Sequence, residues 1–524
     1  MKRLAIIGWD GATWDLLEGL IASGQLPNLG ALRRESVWGT LASVRPPVTA
    51  PAWVTLATGV NPGRHGCYDF NVTEDGYRKI RPLQTWDIGY RTFYEVLAER
   101  GRKTILVNLP VTHPPLTDQI TVTSLLTQGE NAVFPRDLPS RHRSLTGYRV
   151  FPDTARRQRG DLAGYLADIR AVEAARFRCA RDLWEEPWDV FFTVFSGMDW
   201  VSHEVFPDLS DGALDRHPEA LGVIRDLDEA LGWILDHLGP DDGLMMVSDH
   251  GFRVSEGTFY INEWLESLGF LRPDYSRPAL PASHRMEEEA QRAFLGDEAV
   301  STGRLRRVHE SAAARLWIKV RMKFGLSWPY TLIPDPSRSR AFTLTSESLG
   351  IHVPNGEESV LEDVADSVSR LRDPFRGGAV FASVERRDDV YHGPFTRNAP
   401  HLVLGPGPWG VAAAIRDLKG APFHRHRSGI HAPEGIFLGR GAPFAADRRV
   451  EGLSLIDVAP LIYYTLGEPL PADLDGAPRE DLFPPDILDA FPPSFAPIEP
   501  PRREKRDLED DAIQDRLKGL GYMG

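Results

Sequence analysis

Leu244-Met245-Met246-Val247-Ser248-Asp249-His250-Gly251 decides how the rest of the chain is read. Four consecutive apolar residues follow Asp241-Asp242-Gly243 and stop at an acid, an imidazole and a glycine, which predicts a short strand buried on both faces. In an open α/β sheet, ligands gather just beyond the carboxyl ends of such strands. Asp249 and His250 would stand at that edge, and a carboxylate oxygen beside an imidazole nitrogen is a common ligand pair for a divalent metal. Asp-His-Gly also makes a good turn, so the tripeptide needs partners from elsewhere.

The residues before it supply the same pattern repeatedly. Leu4–Trp9 reads as a buried first strand ending at Asp10-Gly11. Helical spacing follows over Thr13–Ile21 and Asn28–Arg34, separated by the turn Ser23-Gly24. Lys103–Leu109 is a further strand, residues 117–160 read as a surface excursion, and Asp161–Glu185 as a long amphipathic helix. The strand Val190–Phe195 then runs into Ser196-Gly197-Met198-Asp199, and 214–238 reads as a helix. Strands alternate with helices, and polar residues stand at four strand ends: Asp10, Asn108, Asp199 and Asp249. This predicts an α/β fold, a three-layer α/β/α sandwich with a mostly parallel central sheet.

After 262 the alternation breaks. Residues 263–340 are expected to form a helical insertion or cap, with a basic helical stretch over 301–325 read as a solvated face or as a lid or partner surface. Strand-like patterns return at 379–405 and 434–438, and Leu453–Leu466 reads as a helix. The expected division is 1–262 and 341–483 for the two parts of the catalytic core, with 484–524 a proline-rich strap and terminal helix over Glu504–Leu520.

At 524 residues the chain is too long for a single ordinary core, and the 42% hydrophobic, 26% charged composition is that of a globular protein. A formal charge of −14 argues against a nucleic-acid partner or an anionic membrane surface. The two cysteines, Cys67 and Cys179, are too few for a disulfide framework or a cysteine zinc site. The apolar run after Met1 is too short for a signal peptide, and no run approaches the ~20 residues of a membrane span. A cytoplasmic location is the expectation; oligomeric state is not legible.

Asp199 and His203 are four apart and face the same way on a helical turn, a compact metal half-site or a plain helix hydrogen bond. His431 falls in the glycine- and proline-rich Ser428-Gly429-Ile430-His431-Ala432-Pro433 and reads as a loop histidine. Taken together, Asp10, Asp199 and Asp249 would gather at one sheet edge with His203, His250 and His431 able to join them. Three close carboxylates repel by several kcal/mol at low effective dielectric unless cations lie between them. Two divalent ions ~4 Å apart are the usual solution in phosphoryl transfer. Zinc is expected from mixed Asp/His ligation, with manganese or iron compatible. Thr49, just ahead of or at a helix start marked by Pro51, is either a helix cap or a nucleophile activated by a bound metal.

These residues, in this order, resemble the alkaline phosphatase superfamily. The elements of the likeness are Asp10-Gly11, Thr49-Ala50-Pro51 with Thr55-Leu56-Ala57-Thr58-Gly59, Asp199-x-x-x-His203, Ser248-Asp249-His250-Gly251 and His431. The branch that looks closest is the type I phosphodiesterase/nucleotide pyrophosphatase group, and more narrowly its prokaryotic members with Thr-Gly-x-Asn-Pro-Gly-x-His-Gly, here Thr58 to Gly66. The resemblance implies one metal on Asp199, His203 and His431 and a second on Asp10, Asp249 and His250 with the Thr49 oxygen. It implies attack by Thr49 on a small-molecule phosphoester, a phosphothreonine intermediate, and hydrolysis of that intermediate by water. Three residues after the nucleophile, where the group is expected to carry a phosphate-binding asparagine, stands Ala52; Asn108 is the replacement candidate. Cleavage of a phosphodiester or pyrophosphate is therefore the first expectation, transfer of a phosphoryl or phospho-head group to an acceptor the second, and a metal-stabilised binding module the third. No cysteine has the sulfatase setting.

Overall fold

The computed structural model describes residues 3–127, 132–274, 332–413 and 422–504. The basic stretch 301–325 and nearly all of the expected helix after Glu504 lie outside the described residues.

Among the described residues, strands β1 (Leu4–Trp9), β2 (Val37–Ala42), β3 (Thr104–Val107), β4 (Ile120–Val122), β5 (Val133–Phe134), β6 (Val190–Phe195) and β7 (Gly243–Val247) enter one nine-stranded sheet. Two later strands complete it. Before these come β8 (Gly251–Tyr260), β9 (Gly410–Ala412) and β10 (Phe423–Ala432), which form a separate three-stranded sheet. The main sheet then resumes with β11 (Glu434–Arg440) and β12 (Arg448–Ser454), giving the order β12-β2-β11-β7-β1-β6-β3-β4-β5. From β7 to β4 every pairing is parallel; β11 is antiparallel to both its neighbours and β5 to β4.

Helices cover both faces. On one lie α1 (Trp14–Ala22), α2 (Pro27–Glu35), and, after α3 (Thr49–Thr58), α4 (Leu162–Trp184), α5 (Gly197–Ser210) and α6 (Pro218–His237). Alternation along β1 explains the division: Ala5, Ile7 and Trp9 pack with these helices, whereas Leu4 and Ile6 pack with Trp53 and Leu56 of α3, Phe93 and Leu97, and Leu461 and Ile462 of α7 (Val458–Thr465). Each such buried aliphatic or aromatic side chain contributes about 1.5–3 kcal/mol. The architecture is the expected three-layer sandwich.

The 117–160 region is not wholly an excursion, because β4 and β5 extend the main sheet from within it. The helix expected from Leu453 starts with a 3-10 turn at Leu455–Asp457 and becomes α-helical at Val458, since β12 runs to Ser454. Strands at Gly350–Ile351, Ser383–Arg386 and Leu402–Gly405 belong to their own small sheet over a separate apolar cluster that includes Phe259, Leu271, Val364 and Leu404. Main-sheet pairing resumes only at Glu434. The proline-rich strap is held at its end by Arg503, whose guanidinium meets the Ile88 and Tyr90 carbonyls and both oxygens of Glu95. No described helix is long and apolar enough to cross a membrane.

Candidate metal centre

Parallel pairing places the ends of β1, β6 and β7 side by side, and each is followed at once by a carboxylate-bearing turn. After β1, the Gly11 N–H donates to Asp249 Oδ1 at 3.3 Å and the Ala12 N–H to Ser248 Oγ at 2.9 Å, tying the two strand ends together. After β6, Asp199 lies in the first turn of α5 and His203 one turn later. His431 arrives from outside the main sheet. It is not on a loop but on β10, opposite Phe252 of β8.

The expected ligands form two groups, each with its ligand atoms within 4.8 Å of one another: Asp199, His203 and His431, and Asp10, Asp249 and His250. In the first, Asp199 Oδ1 is 3.4 Å from His203 Nε2 and 3.3 Å from His431 Nε2, and the two imidazole nitrogens are 3.1 Å apart. In the second, His250 Nε2 is 3.5 Å from Asp10 Oδ1 and 3.3 Å from Asp249 Oδ2. The groups abut, with His250 Nε2 4.0 Å from Asp199 Oδ1 and the His250 and His431 rings stacked at 3.7 Å. Phe252 walls the site, its ring 5.0 Å from His203 and 5.1 Å from His431.

Hydrogen bonds at the far ring nitrogens set the tautomers. His431 Nδ1 meets the Pro47 carbonyl at 2.9 Å and His250 Nδ1 the Gly251 carbonyl at 3.2 Å, so in their neutral forms both carry their proton there and turn a bare Nε2 to the site.

Thr49 opens α3 and is fully buried, with Oγ1 3.2 Å from His250 Nε2. Four residues on, Trp53 donates its indole N–H to Asp10 Oδ2 at 3.3 Å. Sequence reasoning missed Trp53, Ser248 and Phe252. Only Phe252, beside Asp249-His250-Gly251, had a local signal, as the inward position of the next strand.

Asn108 has another task. Its Nδ2 donates to the Val194 carbonyl at 2.9 Å and to Ser196 Oγ at 3.1 Å, so the amide protons a phosphate oxygen would need are engaged within the protein. Ala52 is buried in the apolar cluster of Trp53, Leu56 and Val247. A polar group at that position would enter the core.

Electrostatics separate the two groups. Burial, then Asp249 and Asp199, push Asp10 well above the usual carboxylate range. Burial and Asp199 raise Asp249 to about 7. Burial alone would raise Asp199 too, yet the His203 and His431 imidazoles hold it well below its ordinary value. His250 is lowered by burial and by His431. His431 is raised, its burial outweighed by Asp199.

The donor set suits divalent cations. Asp10 Oδ1 and Asp249 Oδ2 are buried and accept no N–H from the described residues; without a cation, only a proton shared between the two carboxyls serves them. A buried carboxylate oxygen left without either costs about 1–3 kcal/mol or more, a cost that a cation removes. Two carboxylates, a bare imidazole nitrogen and a hydroxyl around one position, and one carboxylate with two imidazoles around the other, are oxygen–nitrogen sets of the kind zinc takes.

The sequence profile of the family described as type I phosphodiesterase / nucleotide pyrophosphatase matches residues 4–420. Among curated proteins no sequence matches. Human ectonucleotide pyrophosphatase/phosphodiesterase 5 shares the fold at 14% identity and TM-score 0.51, over 92% of this chain and 99% of its own. An inactive variant of the murine protein, solved in complex with AMP, gives 14% identity and TM-score 0.52 over 92% of this chain and 100% of its own. Phosphonoacetate hydrolase from Sinorhizobium meliloti 1021, in complex with phosphonoformate, gives 14% and 0.52 over 88% and 95%.

Proposed function

Because the chain belongs to the type I phosphodiesterase/nucleotide pyrophosphatase family, a family of phosphoester hydrolases, we propose that it cleaves a phosphodiester or pyrophosphate by way of a phosphothreonine on Thr49, using two divalent metals. Zinc is the metal this reading favours. The observation that carries it is the place of Thr49 Oγ1, 3.2 Å from His250 Nε2, in the acid-rich group that adjoins the second ligand group.

Asp199, His203 and His431 would hold one ion, and Asp10, Asp249 and His250 the other, with Thr49 Oγ1 beside it. When bound, such ions lower the pKa of a coordinated hydroxyl and offset charge on the transferring phosphoryl group. Thr49 is held at a helix start, where first-turn N–H groups lack intrahelical partners and favour an anionic group. Attack forms the Thr49 Oγ–P bond and breaks the bond from phosphorus to the leaving oxygen. Water then attacks phosphorus, the Oγ–P bond breaks, and the threonine hydroxyl is restored. Trp53 holds Asp10 through its indole N–H, and Phe252 keeps the imidazoles in an apolar wall.

The test is turnover of p-nitrophenyl phosphodiesters, nucleotide diesters and pyrophosphates by protein of measured metal content, with Thr49→Ala in parallel. Full activity in Thr49→Ala would remove the nucleophile assignment. Phosphate appearing on an added alcohol instead of in solution would make the protein a transferase.

A further inference from the structure

Below the metal centre lies a buried polar cluster with no part in the chemistry above. Glu173 and Arg176 of α4 are 2% and 0% exposed and paired with each other. Arg176 gives Nε to the Tyr148 hydroxyl at 3.1 Å and Nη2 to the Val150 carbonyl at 3.2 Å, and its guanidinium carbon lies 5.4 Å from the Trp200 ring centroid. Glu173 Oε1 accepts the Ser196 N–H at 3.2 Å, and the Gly197 N–H also points at this carboxylate.

Those two N–H groups open α5 and have no partner inside the helix. Glu173 therefore acts as a cap supplied by a neighbouring helix, its charge complementing the positive end of the α5 dipole. Asn108 holds the same turn from the other side, through the Val194 carbonyl and Ser196 Oγ. Contact is close enough to dictate the sequence: a Cβ at Gly197 would stand 2.8 Å from Glu173 Cγ and 2.8 Å from Val223 Cγ1. Two residues beyond Gly197 comes Asp199, and a turn later His203. The ligands of the other group ride instead on the ends of β1 and β7, which Ser248 ties together.

We infer that Glu173, Arg176 and Asn108 are positioning residues for one half of the metal centre, fixing the start of α5 and with it the Asp199–His203 pair. This rests on the two-metal reading above. A buried ion pair at the entrance to a ligand-bearing helix is a means of setting geometry, since the same volume filled by apolar side chains would pack as well without orienting the two N–H groups.

The test is zinc titration of the metal-stripped full chain by calorimetry, with cobalt(II) absorption as a second readout. Two binding steps are expected, one abolished in Asp199→Asn and the other in Asp249→Asn, which assigns them. The charge-neutral double variant Glu173→Gln/Arg176→Met should weaken the Asp199 step tenfold or more, alter its cobalt spectrum, and leave the Asp249 step within about twofold. Asn108→Ala, which leaves no buried charge unpaired, should act in the same direction and carries the test if the double variant does not fold. Equal weakening of both steps, or no change in either, would overturn the inference. Absence of zinc binding by the unaltered protein would instead remove the two-metal reading, and the inference with it.

Discussion

The two ligand groups use the same residue types in opposite proportions. One has a single carboxylate and two imidazoles that are 6% and 8% exposed; the other has two carboxylates and one imidazole, all fully buried. The first balances its own charge, because its imidazoles hold Asp199 ionised while Asp199 raises His431. The second has no internal balance: burial and mutual repulsion push Asp10 and Asp249 up, and His250 is pushed down. Without a cation it is neutral only by taking protons. The nucleophile candidate stands on this second group, where a cation gains most.

The largest expected effect follows from that asymmetry. Thr49→Ala should lower kcat on a phosphodiester by about 10³-fold or more, since it removes the attacking oxygen. Zinc content should be unchanged, because the carboxylates and imidazoles remain. Equal loss of zinc and activity would mean that Thr49 is only a ligand.

Next comes the pH dependence of the metal-stripped protein. A carboxyl raised from 3.8 to about 7 in the folded state contributes stability that is fully present below pH 4 and lost as pH rises through 7. Asp10, raised as well, titrates together with Asp249, so the loss belongs to the pair. Asp199, lowered in the fold, works the other way: its contribution is present above pH 4 and lost on acidification. Buried His65, His250 and His352 and half-buried His401 are all lowered and pull the whole-protein curve the other way. The readout of chemical denaturation is therefore a difference: in stripped protein, the stability of Asp249→Asn minus that of the unaltered chain should rise from pH 4 to pH 8, and added zinc should reverse its sign at pH 8. A difference insensitive to zinc at pH 8 would break the contrast.

Smaller substitutions sharpen the same contrast. In stripped protein at pH 8, Asp10→Asn should stabilise by about 1–3 kcal/mol by removing a buried, repelled carboxylate. Asp199→Asn should destabilise by a similar amount, by removing the partner of His203 and His431. With zinc present both should destabilise. The readout is the denaturation midpoint at constant slope, and two shifts of the same sign in stripped protein would contradict the division.

How much of this could be read beforehand depends on what each residue's neighbours are. Strands buried on both faces leave uninterrupted apolar runs, so Leu4–Trp9, Val190–Phe195 and Leu244–Val247 were visible, and with them the acids at their ends. The strand of His431 was not. Gly429 and Pro433 read as loop punctuation, yet a Cβ at Gly429 would lie 2.1 Å from the Ser202 carbonyl of α5, so the glycine marks a close approach of helix to strand. Val37–Ala42 was hidden for a related reason, a glycine inside a half-buried strand. The ligand set came through the order of motifs. Trp53, Glu173 and Arg176 did not, because a side chain that supports another from a distant element has no spacing of its own.

Ala52 gives the smallest expected effect and the plainest division between site and core. On the reading that it vacates a phosphate-binding position, Ala52→Asn would raise diester turnover. Its packing against Trp53, Leu56 and Val247 argues the reverse: the amide would be forced into an apolar cluster with no partner for its N–H groups, costing about 1–3 kcal/mol. The expected outcome is a lower melting temperature, unchanged zinc affinity at both steps and no gain in kcat/KM on any ester. A rise in kcat/KM at unchanged stability would show that the position faces the phosphoryl group after all, and would move the boundary between the apolar layer under α3 and the acid-rich half of the centre by one helical turn.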